Sequence, residues 1–174
     1  MTEFKTFGGL ARHLERLAAF GPEVTDAIAE KAGETIRDDA KAKLGHYQGA
    51  AGPFDAWAPL SPWTQIERQE LGFTPNDPLL RSGQLRDAIE SSVIHDGAVV
   101  GIKPGPHVDP RGHVEDVGEI AIRMELGGLA PARPFLGPAA FESKKKVGTL
   151  AAIAVIAWIT GRNWLKPPQS IKLP

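Results

Sequence analysis

The chain has 174 residues and a mass of 18.7 kDa, the size of one domain with a core of its own. Its 20 Lys+Arg against 21 Asp+Glu leave a formal charge of −1, so no global field favours nucleic acid or an anionic membrane, and a dedicated DNA-binding module is not expected. The absence of cysteine excludes a disulfide framework, a thiolate zinc site, an iron–sulfur cluster and a cysteine nucleophile, while 19 Gly and 15 Pro predict many short elements joined by stiff turns.

The first five residues, Met-Thr-Glu-Phe-Lys, lack the basic-then-apolar pattern of a signal peptide, and export is not expected. Leu10, Leu14 and Leu17 form one stripe of a first helix over residues 7–20, which Gly21-Pro22 is expected to close. Pro22 then suits the first turn of a second helix. From there Val24, Ile28, Ala32, Ile36, Ala40 and Leu44 recur every fourth residue, which predicts a long amphipathic helix ending at Gly45.

Residues 46–62 are too rich in Gly and Pro for regular structure. Ser61 as N-cap and Pro62 at the first helical position predict a short helix over residues 63–71, stopped by Gly72. After the turn Pro75-Asn76-Asp77-Pro78, Ser82 is expected to cap one or two helical turns that bury Leu85, Ala88 and Ile89. Residues 91–95 and 98–102 flank Asp96-Gly97, a strong hairpin signal. A Pro/Gly-rich excursion over residues 103–118 leads to a loosely alternating run, residues 119–126, expected as a third strand.

Pro131, Pro134 and Pro138 hold an irregular stretch around Phe135 and Leu136. A final helix of about 20 residues is expected from Gly137-Pro138 through Phe141, Lys145, Gly148 and Ala152 to Trp158, with Gly148 its weak point. Its most apolar window, residues 150–159, is about half the ~20 residues that cross a bilayer and reads as buried helix. Residues 162–174, with Pro167-Pro168, read as an extended arm. An arm bearing Trp164, Leu165 and Ile171 needs a cover, either its own domain or a neighbouring subunit. The fold class is therefore α+β: a small antiparallel or mixed sheet with a long N-terminal helix and a C-terminal helix packed on it, residues 1–161 forming one domain before the arm.

Charge is unevenly placed. Residues 1–96 hold 10 Lys+Arg and 15 Asp+Glu, and residues 97–174 hold 10 and 6. Pairing within the chain explains the split, and so does an acidic surface on one protomer meeting a basic surface on the next.

The one cluster with the residue types of catalysis is His107-x-Asp109-x-x-x-His113-x-Glu115-Asp116, with His95 upstream. Imidazole and carboxylate suit zinc, manganese or non-haem iron, and a metal-dependent hydrolase using His107, Asp109 and His113 is the rival reading. The prolines and glycines between these residues favour a solvated hairpin tip instead, because a metal site needs rigid elements to aim its ligands. No Gly-x-Ser-x-Gly elbow and no phosphate-binding glycine loop occurs. Lys144-Lys145-Lys146 reads as a solvated helix face rather than a nucleic-acid contact. Trp57 and Trp63 read as packing residues of their loop rather than stacking platforms. No cofactor, metal or catalytic residue is assigned.

Three phrases remain: Trp57-x-Pro59-Leu60-Ser61-x-x-Thr64; Pro78-Leu79-Leu80-Arg81-Ser82-Gly83-Gln84-Leu85-Arg86-Asp87-Ala88-Ile89; and Met124-Glu125-Leu126-Gly127 with Pro131-Ala132-Arg133-Pro134-Phe135-Leu136-Gly137-Pro138-Ala139. In this order, over residues 10–145, the chain resembles the tail-completion, or virion morphogenesis, proteins of tailed bacteriophages. The resemblance implies a structural protein without enzymatic activity. It would form a homo-oligomeric ring, a hexamer, at the neck of the virion, assembled in the host cytoplasm, with no membrane partner. There it would join the head connector to the tail tube or tail terminator, with DNA passing through the lumen without specific binding. A tail terminator or another minor tail protein is the variant within the same class. Residues 46–60 and 103–118 are then candidates for contacts along the tube. Arg81, Arg86, Arg133, Trp164, Leu165 and Ile171 are candidate interface residues. Arg81 and Arg86 are also placed to hold their turn to a carboxylate such as Glu125, and Phe135 is expected to plug the core.

Overall fold

Thr6 accepts the Gly9 N–H at 3.1 Å and so caps the first helix, α1 (Phe7–Lys43). The computed structural model describes residues 6–95, 97–128 and 130–161. Its helices continue with α2 (Pro62–Glu70), α3 (Gln84–Asp87), α4 (Val117–Leu126) and α5 (Leu136–Ile159), and its strands are β1 (Ile89–Ile94), β2 (Gly97–Ile102), β3 (Pro106–Val108) and β4 (Val114–Asp116). The α+β class holds, with the two long helices packed together, β1 and β2 lying on α1, and β4 against α4. No described helix is long and apolar enough to cross a membrane.

Gly21-Pro22 does not end α1, which runs about 55 Å without a break. Pro22 removes one hydrogen bond and crowds the Ala18 carbonyl, a cost of about 3 kcal/mol in a helix interior. Tertiary packing overrides it, because α5 lies antiparallel along α1 on both sides of the proline. Ser143 bonds Asp39, Trp158 rests against Gly21, and Gly161 lies beside Arg16. Leu44 and Gly45 (φ 95°) then turn the chain out of α1, and the N–H of Gly45 donates to Pro78 at 2.8 Å.

β1 and β2 pair antiparallel from Ile89 opposite Ile102 to Ile94 opposite Gly97. The hairpin forms beside Asp96-Gly97 as expected, but one residue out of the expected register: Gly97 opens β2 opposite Ile94 instead of lying in the turn, and Asp96 lies outside the described residues. The sheet lies on α1 at Gly33, where a Cβ would meet that of Ala98 at 3.1 Å and that of Ser91 at 3.3 Å, so glycine is what lets helix and strands approach.

The expected third strand is a correction. Residues 119–126 belong to α4, and the excursion before them contains a second hairpin, β3 paired with β4. Val117 and Ala121 are buried and Ile120 and Met124 half-buried, a three-to-four spacing that in so short a run also passes for alternation. Asp116 decides it, its carboxylate capping α4 through the Gly118 N–H at 2.8 Å. Ser82 also loses its expected role: the residue before α3 is Gly83, at φ 85°, and Ser82 bonds Gln84.

The core gathers Ala40 of α1, Leu44 just beyond its end, Trp57, Ile89, Ala121, Phe135 and Ala139. Phe135 and Ile89 are wholly buried. Residues 150–159 are helical as expected but not fully buried: Val155, Ile156 and Ile159 are 37%, 60% and 48% exposed. Part of the charge split is resolved within the chain, by Lys146 with Asp39, Lys103 with Glu90 and Arg111 with Glu67. The arm, with Trp164, Leu165 and Ile171, lies outside the described residues.

Candidate functional site

A cleft of about 670 Å³ opens where the three phrases meet. Leu60, Ser61 and Thr64 come from the first, Leu79, Arg81 and Leu85 from the second, and Met124, Pro131 and Arg133 from the third. Arg68 of α2, Arg123 of α4 and the β3–β4 hairpin complete its walls.

The floor is built by backbone capture. Ser61 caps α2 by accepting the Thr64 N–H at 3.1 Å. At the other end of α2 the buried Arg68 turns inward, its Nη1 donating to the Asp77 carbonyl at 2.6 Å with those of Thr74 and Leu80 at 3.5 Å. This anchors the turn in which Leu79 sits at φ 58°, a left-handed conformation that costs a branched side chain of order 1 kcal/mol or more and persists only where its surroundings hold it. The buried Pro78 and its bond to Gly45 are the other restraints.

The strap over residues 57–60 is held to the third phrase. Trp57 Nε1 donates to the Pro134 carbonyl at 2.8 Å. Arg133 donates from Nε and Nη2 to Ala58 at 3.2 and 3.0 Å, and from Nη2 to Pro59 at 3.3 Å. Arg133 is thus internal, 6% exposed, and not the surface residue that an interface role requires. Trp57 packs as expected, whereas Trp63 is 74% exposed on α2.

Glu125 does not meet Arg81 or Arg86. Its Oε2 accepts the N–H groups of Phe135 and Leu136 at 2.8 and 3.1 Å, and its Oε1 that of Gly137 at 2.8 Å. One carboxylate therefore serves as the cap of α5, at the positive end of that helix. Arg86 pairs with its neighbour Asp87 at 3.3 Å on the surface, and Arg81 lies over the Phe73 ring at 5.2 Å.

The His/Asp/Glu cluster resolves into hairpin chemistry. Asp109 closes the turn by accepting the Arg111 and His113 N–H groups, both at 2.8 Å, with the His113 ring at 3.2 Å. Glu115 pairs with Arg123 at 2.5 Å, Asp116 joins Gly105 to the cap of α4, and His107 stands opposite Glu115 in the ladder. His95 belongs to the other hairpin. Among the described residues, no three His, Asp or Glu side chains are placed to hold a metal. Arg111 ties the tip to Glu67 of α2 at 2.7 Å, which makes the hairpin one wall of the cleft.

Desolvation works to raise the Asp109 pKa, but the His113 N–H, the His113 ring and the Arg111 N–H outweigh it and hold the carboxyl below its usual range. A folded-state value below the unfolded one gives stability that is present above about pH 4 and lost as pH falls through the folded value. Amide protection at Arg111 and His113 is therefore expected to collapse on acidification before that of β1 and β2. In Asp109→Asn it should already be low at neutral pH. Equal protection in the variant would show that the turn stands without the carboxylate.

Of the arginines that line the cleft, Arg81 and Arg133 stood out in the sequence and Arg68 did not. Arg68 sits in a polar stretch where it reads as a solvated charge, and only the turn folded over it makes it internal. Burial, then the nearby Arg81 and with it Arg133, draw the Arg68 guanidinium below its usual pKa, against the opposing influence of Asp77 and Tyr47. Comparison with known proteins gives no further assignment: no protein-family model, no curated protein and no solved structure matches the chain.

Proposed function

We propose that this chain is a structural protein of the head–tail junction of a tailed bacteriophage, a subunit of a homo-oligomeric ring that joins the head connector to the tail tube. The observation that carries this reading is the distal half of α5. From Val147 to Gly161 there is no charged residue. Val147, Leu150, Ala154 and Trp158 are half-buried, Trp158 against Gly21 of α1, while Ala152, Val155, Ile156 and Ile159 are exposed on the opposite side. A helix that is apolar all round is covered in its working state.

The exposed stripe follows the spacing 141, 145, 148, 152, 155, 159, alternately four and three residues, which is that of a seam that receives another helix. The Trp158 indole N–H, buried, has no acceptor among the described residues. The ordered phrases that resemble tail-completion proteins supply the assembly, and the open seam supplies a surface for it.

Mass photometry of the full chain is expected to give rings. The double change Ile156→Glu, Ile159→Glu should reduce them to monomers while the helical circular dichroism and its melting temperature stay near wild type. Particles assembled without the chain are expected to lack attached tails. Infectious particles with firmly joined tails would overturn the assignment.

A further inference from the structure

Three guanidinium groups at the cleft, those of Arg68, Arg81 and Arg133, form no salt bridge with a described carboxylate, and Asp77 acts on Arg68 without an ion pair. Arg68 and Arg133 are buried, and their hydrogen bonds go to backbone carbonyls. Arg81 is stacked on Phe73, with a buried Nε that has no hydrogen-bond partner among the described residues. The carboxylates on the same walls are already engaged, Glu115 by Arg123 and Asp109 by its turn. Gathering like charges in a partly dehydrated space works against folding. A fold that tolerates such a conflict does so most often where it binds something.

The rest of the lining says what that is. Leu60, Leu79, Leu85, Ile120 and Met124 give the cleft apolar walls, which a phosphate or other small anion would leave wet. Its volume of about 670 Å³ is that of a site for several side chains rather than one ion. The planar fork of an arginine matches a carboxylate through two parallel bonds.

We propose that the cleft is the receptor for an acidic, leucine-type peptide segment of a partner chain, with Arg81 taking a carboxylate of the segment and the apolar walls seating the side chains next to it. Arg68 and Arg133 supply the surrounding positive field and hold the walls in place. The proposal is independent of the head–tail assignment, since it concerns what enters the cleft and not where the protein works.

The test is fluorescence anisotropy on the full chain with a labelled peptide of alternating Glu and Leu, against the same peptide with Gln in place of Glu. Saturable binding of the acidic peptide is expected, weaker by about tenfold or more for the Gln peptide and for Arg81→Gln. Arg81→Lys, which keeps the charge and loses the fork, should fall between. Arg81→Gln should melt at or above the wild-type temperature, because it removes a repulsion along with the binding group, and this separates lost binding from lost folding. No saturable binding, equal affinity for the Gln peptide, or unchanged affinity in Arg81→Gln would each overturn the proposal. Displacement of the peptide by an equal concentration of pyrophosphate would assign the cleft to small anions instead. A fall in oligomeric mass in Arg81→Gln, with no peptide bound by wild type, would assign it to a second copy of the chain.

Discussion

Phe135→Ala is expected to lower the free energy of unfolding by about 3–5 kcal/mol, the range for emptying a fully buried aromatic site. Phe135 is 0% exposed and belongs to the cluster that joins α1, β1, α4 and α5. Its neighbours cannot collapse into the gap, since Trp57 is fixed to Pro134, Arg133 to the strap, and the Phe135 N–H to Glu125. Urea denaturation followed by circular dichroism measures the loss. Phe135→Leu, which keeps much of the volume, should cost about 1–2 kcal/mol. A loss under about 1 kcal/mol for the alanine variant would mean that the cavity relaxes and that the core is centred elsewhere.

Glu125→Ala should be nearly as damaging, at about 2–4 kcal/mol. It strands the three N–H groups at the start of α5 in a half-buried place, and each such donor left without an acceptor costs about 1–3 kcal/mol where water cannot reach it. Glu125→Gln keeps one oxygen acceptor but loses the charge that assists the bonds, and about 1–2 kcal/mol is expected. The two variants should differ most in amide exchange at Phe135, Leu136 and Gly137. Wild-type protection there in Glu125→Ala would remove the carboxylate from its capping role. The consequence reaches the cleft, because residues 131–135 are both one of its walls and the lead into the helix.

The elements that depend on neighbours in sequence were legible. Ser61-Pro62 announced α2, the four-residue recurrence from Val24 to Leu44 announced the inner face of α1, and the Asp-Gly pair announced the β1–β2 hairpin. Caps, turns and amphipathic periods are local bonds whose partners lie within a few residues. Pro22 and residues 119–126 misled for the same reason in reverse. The proline is a strong local stop that α5 outweighs by packing across it. The run before Gly127 carries a helical pattern too short to separate from alternation without the Asp116 cap.

The cleft was legible only in part. Its three phrases stood out in the sequence as unusual in combination. That they converge on one cavity depends on contacts more than 70 residues apart, such as Trp57 to Pro134 and Arg133 to Ala58. An arginine in a polar stretch looks the same whether it faces water or a ring of carbonyls, so Arg68 gave no sign of its burial, and Arg133 was expected at an interface rather than inside. Glu125 was expected to answer an arginine and instead answers the backbone of α5.

By itself the sequence determined the α+β class, a long helix at each end of the described chain, the α2 cap and the first hairpin, because these follow from composition and short-range hydrogen bonding. Only the tertiary structure decided that α1 passes through its proline, that the histidine-rich loop is a pinned hairpin, and that arginines without salt-bridge partners line one cleft. Those outcomes rest on which distant backbone groups meet, and a side chain's charge does not reveal its surroundings until the chain has closed around it.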